Sequence, residues 1–97
     1  MTLHLVSKSP FSSSALRDCL QSFAEGDALL LIEDGVYALR HDALQTLQNS
    51  AVYCLEADAA ARGQRELAAI VSGIKMIDDA GWVKLCTQHN PIVSWFR

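Results

Sequence analysis

No two of the three cysteines, Cys19, Cys54 and Cys86, stand close enough to form a CxxC pair or a metal-ligand spacing, and three thiols make no even-numbered disulfide framework. This absence removes the redox-motif and structural-zinc readings, and with no Cys/His cluster no metal is expected. The five glycines stand apart, each beside a turn, so no glycine-rich loop is present to cradle a phosphate and no cofactor is expected. Eight Lys and Arg residues are scattered from Lys8 to Arg97 against eleven acids, for a formal charge of −3. Without a basic stripe, direct gripping of nucleic acid by this chain is not expected. The acidic pairs Glu33-Asp34 and Asp78-Asp79 are adjacent in sequence, so each pair diverges and neither is a general acid–base dyad. No apolar segment approaches the length that spans a bilayer, and Met1 to Leu5, interrupted by His4, is too short for a signal peptide. The expected location is cytoplasmic, with no membrane partner.

What is present is apolar residue, 51% of 97 positions, which is rich for so short a chain. A domain of this size buries a modest fraction of its surface, so part of this apolar content is expected to face partner subunits. Its pattern alternates strand with helix across one domain, residues 1–97. Leu3 to Val6 reads as a first strand, ended by Ser7-Lys8-Ser9-Pro10. Ala15, Leu16, Cys19, Leu20 and Phe23 recur at helical spacing over residues 13–25, with Ser12, Ser13 or Ser14 as the N-cap. Asp27 to Ile32 shows no polar alternation and reads as a central strand buried on both faces. Asp34 then caps a short helical turn through Tyr37 and Ala38, and Ala43 to Gln48 is a further helical segment. Ala51 to Leu55 is the third strand. Asp58 to Arg62 is a helical turn closed by Gly63, with Arg62 where a helix C-terminus favours a cation. Residues 66–73 fit a short helix or a loop, and Ile74 to Ile77 is the fourth strand. A helix capped by Asp78 or Asp79 presents Trp82, Val83, Leu85, Cys86 and His89 and stops at Pro91, before a last strand over Ile92 to Phe96. This order implies an α/β domain: a mostly parallel sheet of about five strands with helices on both faces, in three layers.

Several local features recur together: Leu3-His4-Leu5, Ser9-Pro10-Phe11, the run Gly26-Asp27-Ala28-Leu29-Leu30-Leu31 continuing to Asp34-Gly35-Val36-Tyr37-Ala38, and Tyr53-Cys54-Leu55-Glu56-Ala57-Asp58 with Ala61-Arg62-Gly63. Ile77-Asp78, Trp82-Val83-Lys84-Leu85 and Trp95 follow. In order and spacing, over essentially the whole chain, this resembles the TusB/DsrH family of the DsrE/F/H-like sulfur-relay group. The resemblance implies a subunit that assembles with TusC/DsrF-type and TusD/DsrE-type partners as a dimer of heterotrimers. Such a complex hands persulfide sulfur to a TusE/DsrC-type acceptor, and in one branch the sulfur ends on the 2-position of the wobble uridine of tRNA. In the DsrH branch the corresponding complex serves sulfur oxidation. The family's best-established acceptor cysteine lies in the TusD-type subunit, while DsrH-branch members carry a cysteine in the first helix, where Cys19 stands here.

Cys19 is therefore the candidate persulfide acceptor, although its spacing from Ala15 and Phe23 puts it on the apolar helix face, away from the free N–H groups that would acidify it. The alternative is a partner or scaffold subunit with no chemistry of its own. Cys54 reads as core, and Cys86 with His89 at i, i+3 as a geometrically possible thiol–imidazole pair. Asp34, Gly35 and Tyr37, just past the central strand, would serve a homo-oligomeric small-ligand binding module or, more simply, a capped tight turn. His4 and His41 read as structural or solvated, and Trp95 and Phe96 as packing or interface anchors.

Overall fold

The computed structural model describes residues 1–47, 51–71 and 73–96. The strands are β1 (Leu3–Val6), β2 (Ala28–Leu31), β3 (Ala51–Leu55), β4 (Ile74–Ile77) and β5 (Ile92–Trp95), in one sheet of order β4-β3-β2-β1-β5. Every neighbouring pair is parallel. The helices are α1 (Ala15–Ser22), α2 (Glu56–Ala61), α3 (Arg65–Ile70) and α4 (Asp79–Gln88), and two 3-10 segments occupy Glu33–Arg40 and Asp42–Leu47.

The period of two along each strand sorts side chains into two layers. On one face Val6, Leu29, Leu31, Val52 and Cys54 meet Leu16 and Cys19 of α1, Val36 and Leu39 of the first 3-10 segment, Leu44 of the second, Ala59 of α2 and Ala68 of α3. On the other face Leu3, Ala28, Leu30 and Leu55 pack against Leu85, with Trp82 and Cys86 of α4 alongside. Several elements thus cover one face and a single helix covers the other. β2 lies between both neighbours and both layers, and all its residues are buried, as an unbroken apolar run requires in a parallel sheet.

Several boundaries differ from those the sequence suggests. α1 begins at Ala15, and the serines before it act separately: the Ser13 hydroxyl accepts the Ala15 N–H at 3.1 Å while the Ser14 hydroxyl donates to Asp18 at 3.1 Å. Asp34 is not an N-cap. Glu33 takes a left-handed φ of 48°, which turns the chain one residue earlier and puts Asp34 inside the 3-10 segment. α2 begins at Glu56, ahead of Asp58, and ends at Ala61, with Arg62 as its C-cap and the left-handed Gly63 closing it. Arg65–Ile70 is helical. Asp78 caps α4, its carboxylate accepting the Gly81 N–H at 2.9 Å. Gln48 and Ser72, included in two of the predicted segments, lie outside the described residues. Among the described residues no helix is long and apolar enough to cross a membrane.

Candidate functional site

The strand order decides where a ligand edge would lie. β1, β2, β3 and β4 march in one direction and β5 adds on the far side of β1, so the sheet reverses between β1 and β5 rather than after β2. In open α/β sheets that reversal, at the carboxyl ends of the strands, is where crevices form. Here Ser7 follows β1, its N–H donating to the Trp95 carbonyl at 3.4 Å. A cleft of about 250 Å³ opens nearby, between the β1–α1 loop and the start of the second 3-10 segment, lined by Pro10, Ser13, Arg17, Leu20 and His41.

From Trp95 at this edge a buried polar chain that sequence reasoning does not anticipate runs toward the amino ends of β1 and β2. The Trp95 indole N–H donates to His4 Nδ1 at 3.1 Å, and His4 Nε2 lies 2.9 Å from Asp27 Oδ2. Because Nδ1 accepts from the indole, Nε2 carries the proton that is donated to the carboxylate. Asp27 also accepts the Thr2 N–H at 2.9 Å and the Ala24 N–H at 3.0 Å. Burial pushes this carboxyl upward, but the hydrogen bonds from His4, Thr2 and Ala24 outweigh it and hold the group at about 2. The Phe23 ring closes the other side of His4, with centroids 5.2 Å apart. Among the described residues no buried side-chain nitrogen or oxygen lacks a partner. The only signal of this polar chain in the sequence is a histidine inside an apolar strand and an aspartate at the mouth of another.

Cys19 lies directly behind this polar chain, on the buried face of α1 with 0% exposure. Burial, reinforced by the negative charge of Asp27, pushes its thiol up to about 12. Cys54 on β3 is equally enclosed and pushed up to about 11 by burial and then by Asp58. At neutral pH both are held as S–H, and the thiol is not the nucleophilic form. Cys86 is half-buried against the second core layer. The imidazole that could geometrically pair with it is engaged elsewhere, since His89 Nδ1 donates to the Leu85 carbonyl at 2.9 Å and closes the end of α4.

At the carboxyl ends of β2 and β3, Arg62 Nε donates to Asp34 at 2.8 Å and the Glu33 N–H donates to Asp58 at 2.7 Å. The Asp34 hydrogen bond, with the charges of Asp34 and Asp58, raises the Arg62 guanidinium above its ordinary value. Asp34 is thus engaged within the chain. Gly35 has no room for a side chain, since a Cβ there would collide with the Val6 carbonyl oxygen and stand 2.8 Å from its carbon. His41 is structural, its Nδ1 accepting the Ala43 N–H at 3.0 Å.

A family model described as DsrH like protein matches residues 8–92. The chain belongs to the DsrH-like family. Protein TusB of Pectobacterium parmentieri is 38% identical over 97 aligned residues, covering 96% of this chain and 99% of that protein. Protein TusB of Escherichia coli K12 is 34% identical with the same coverage. Among solved structures, the solution NMR structure of protein Tm0979 from Thermotoga maritima superposes with a TM-score of 0.69 over 91% of this chain and 93% of its own, at 22% identity. That likeness concerns the fold alone. The TusB/DsrH resemblance holds for this DsrH-like chain, and the mostly parallel sheet of about five strands expected of it has five strands, all parallel.

Proposed function

We propose that this DsrH-like chain is a subunit of a hetero-oligomeric sulfur-relay complex that carries persulfide sulfur toward 2-thiolation of the tRNA wobble uridine in the cytoplasm. It acts there as a partner that positions another subunit's thiol. The observation that carries the reading is the end-to-end likeness to proteins named TusB, 34–38% identical with 99% of each covered. The burial of Cys19 and Cys54 supports the scaffold role, since a relay thiol must be reachable and ionised. So does the single-helix cover of one sheet face, which leaves Tyr53 and Leu5 half-exposed for an apolar partner. The partners are of TusC/DsrF and TusD/DsrE type, and a TusE/DsrC-type protein takes the sulfur from the assembled complex.

The test is co-expression with the two sister subunits, native mass spectrometry of the product, and measurement of 2-thiouridine in a strain lacking its own TusB. A complex of all three, active with a chain whose three cysteines are replaced by serine or alanine, is the expected result. Recovery of the chain without sisters would overturn the proposal. The same experiment tests Cys19: a Cys19→Ser chain that assembles but no longer carries labelled sulfane sulfur would give it the accepting role.

A further inference from the structure

We propose that the cleft at the carboxyl end of β1 binds a small organic anion, a carboxylate or phosphate head on a short apolar body. The cleft, about 250 Å³, lies near the reversal between β1 and β5, where open α/β sheets place their ligands. Its lining is of two kinds: Leu16 and Leu20 of α1 are apolar, while Ser13, Ser14, Arg17 and His41 are polar. Among the described residues no acid lines it, in a chain whose formal charge is −3.

The polar side chains around this cleft still have donors to give. The Ser13 oxygen accepts the Ala15 N–H at 3.1 Å and keeps its own proton to donate, whereas the Ser14 proton goes to Asp18 at 3.1 Å. His41 Nδ1 accepts the Ala43 N–H at 3.0 Å, so Nε2 carries the ring proton, and Nε2 has no partner among the described residues. Asp42, 3.6 Å from Nδ1, is 86% exposed and screened by solvent. Arg17 makes no hydrogen bond or ion pair among the described residues. The other described arginines are committed: Arg40 to Gln64, Arg62 to Asp34 and Asp58, and Arg65 to Glu56. A guanidinium, an imidazole N–H and a hydroxyl lining one cleft complement a group that only accepts. Carboxylate and phosphate are such groups, and the planar fork of an arginine matches either through two N–H donors. The volume falls below the roughly 300 Å³ at which sites for drug-sized ligands begin, so the ligand is small. Its apolar body lies against Leu16 and Leu20, and the Phe11 ring, 5.4 Å from His41 between centroids, extends the apolar surface beside the imidazole. The proposal concerns the chain itself and does not rest on the relay reading.

The test titrates the full, isotope-labelled chain with phenylacetate and with phenyl phosphate and follows the backbone amides by NMR. Saturable shifts at Ser13, Arg17 and His41 are expected, with dissociation constants of about 0.1–10 mM, and the tighter of the two anions identifies the head. Arg17→Gln is expected to weaken both at least about fivefold, since a hydrogen bond to a charged group is lost. Because Arg17 is exposed and holds nothing else in place among the described residues, this variant keeps the urea midpoint of the unmodified chain. His41→Asn, whose side-chain oxygen keeps an acceptor for the Ala43 N–H, is expected to weaken binding about threefold or more. Lys84→Gln, which removes an equal charge from an exposed position on α4, is expected to leave binding unchanged. The proposal is overturned if neither anion gives a saturable shift at these amides, if the cation phenethylamine shifts them equally, or if Lys84→Gln costs as much as Arg17→Gln.

Discussion

Replacing Asp27 by asparagine removes one charge and almost no volume, yet it breaks the polar chain that ties β5, β1 and the mouth of β2 together. Asp27 Oδ2 accepts from both His4 Nε2, at 2.9 Å, and the Ala24 N–H, at 3.0 Å. An amide NH2 placed there faces two donors. If His4 moves its proton to Nδ1 to accept from the amide, that N–H meets the Trp95 indole N–H, now 3.1 Å from Nδ1. If the amide turns over, its NH2 faces the Thr2 N–H instead. Every arrangement leaves a donor unpaired, either the buried imidazole N–H or a part-buried backbone N–H, at about 1–3 kcal/mol when buried, with the charge-assisted bonds lost in addition. A second route reaches a similar figure: a carboxyl at about 2 instead of its ordinary 3.8 contributes ~2 kcal/mol at neutral pH by linkage. Because the folded value lies below the unfolded one, this contribution is complete above about pH 4 and disappears as pH falls through 2. Asp27→Asn is therefore expected to lose about 2–3 kcal/mol at pH 7, or roughly 10–20 °C in Tm for a domain of this length. The assay is urea unfolding followed by tryptophan emission at pH 7 and again near pH 2. Equal midpoints for the two proteins at pH 7, or a gap undiminished at pH 2, would refute the reasoning.

Gly35→Ala is expected to cost about 2–3 kcal/mol, because its Cβ would collide with the Val6 carbonyl, which also accepts the Ile32 N–H at 3.1 Å; thermal unfolding checks this. Under native conditions a thiol reagent is expected to modify Cys86 first and to reach Cys19 and Cys54 only on unfolding, as mass mapping of partially labelled protein would show. Cys19 and Cys54 have folded values raised to about 12 and about 11 from 9.0, so their contribution is whole below pH 9 and is lost as pH rises through the folded values. Urea midpoints compared at pH 8 and pH 11 should fall, and fall less in Cys54→Ala. Arg62→Ala, which breaks a pair with the half-exposed Asp34, is expected to cost no more than about 1 kcal/mol and to lose its effect in high salt.

Much of this molecule is local and therefore readable in one dimension. The unbroken apolar run of β2, the helical spacing around Cys19, the Asp78 cap and the stops at Gly63 and Pro91 each express an interaction within a few residues, and the alternation of strand with helix follows from them. Cys19 and Cys54 are legible as core for the same reason, since the apolar period places them. The turn after β2 is less legible, because a glutamate in the left-handed region, Glu33, carries no compositional mark. What only the tertiary structure decided is long-range partnership. Nothing near His4 in sequence announces Asp27 or Trp95; parallel pairing of β1 with β2 on one side and β5 on the other brings them together. The reversal between β1 and β5 and the engagement of Asp34 by Arg62 have the same origin. Local spacing determines which face a side chain takes, but strand order determines what stands opposite it.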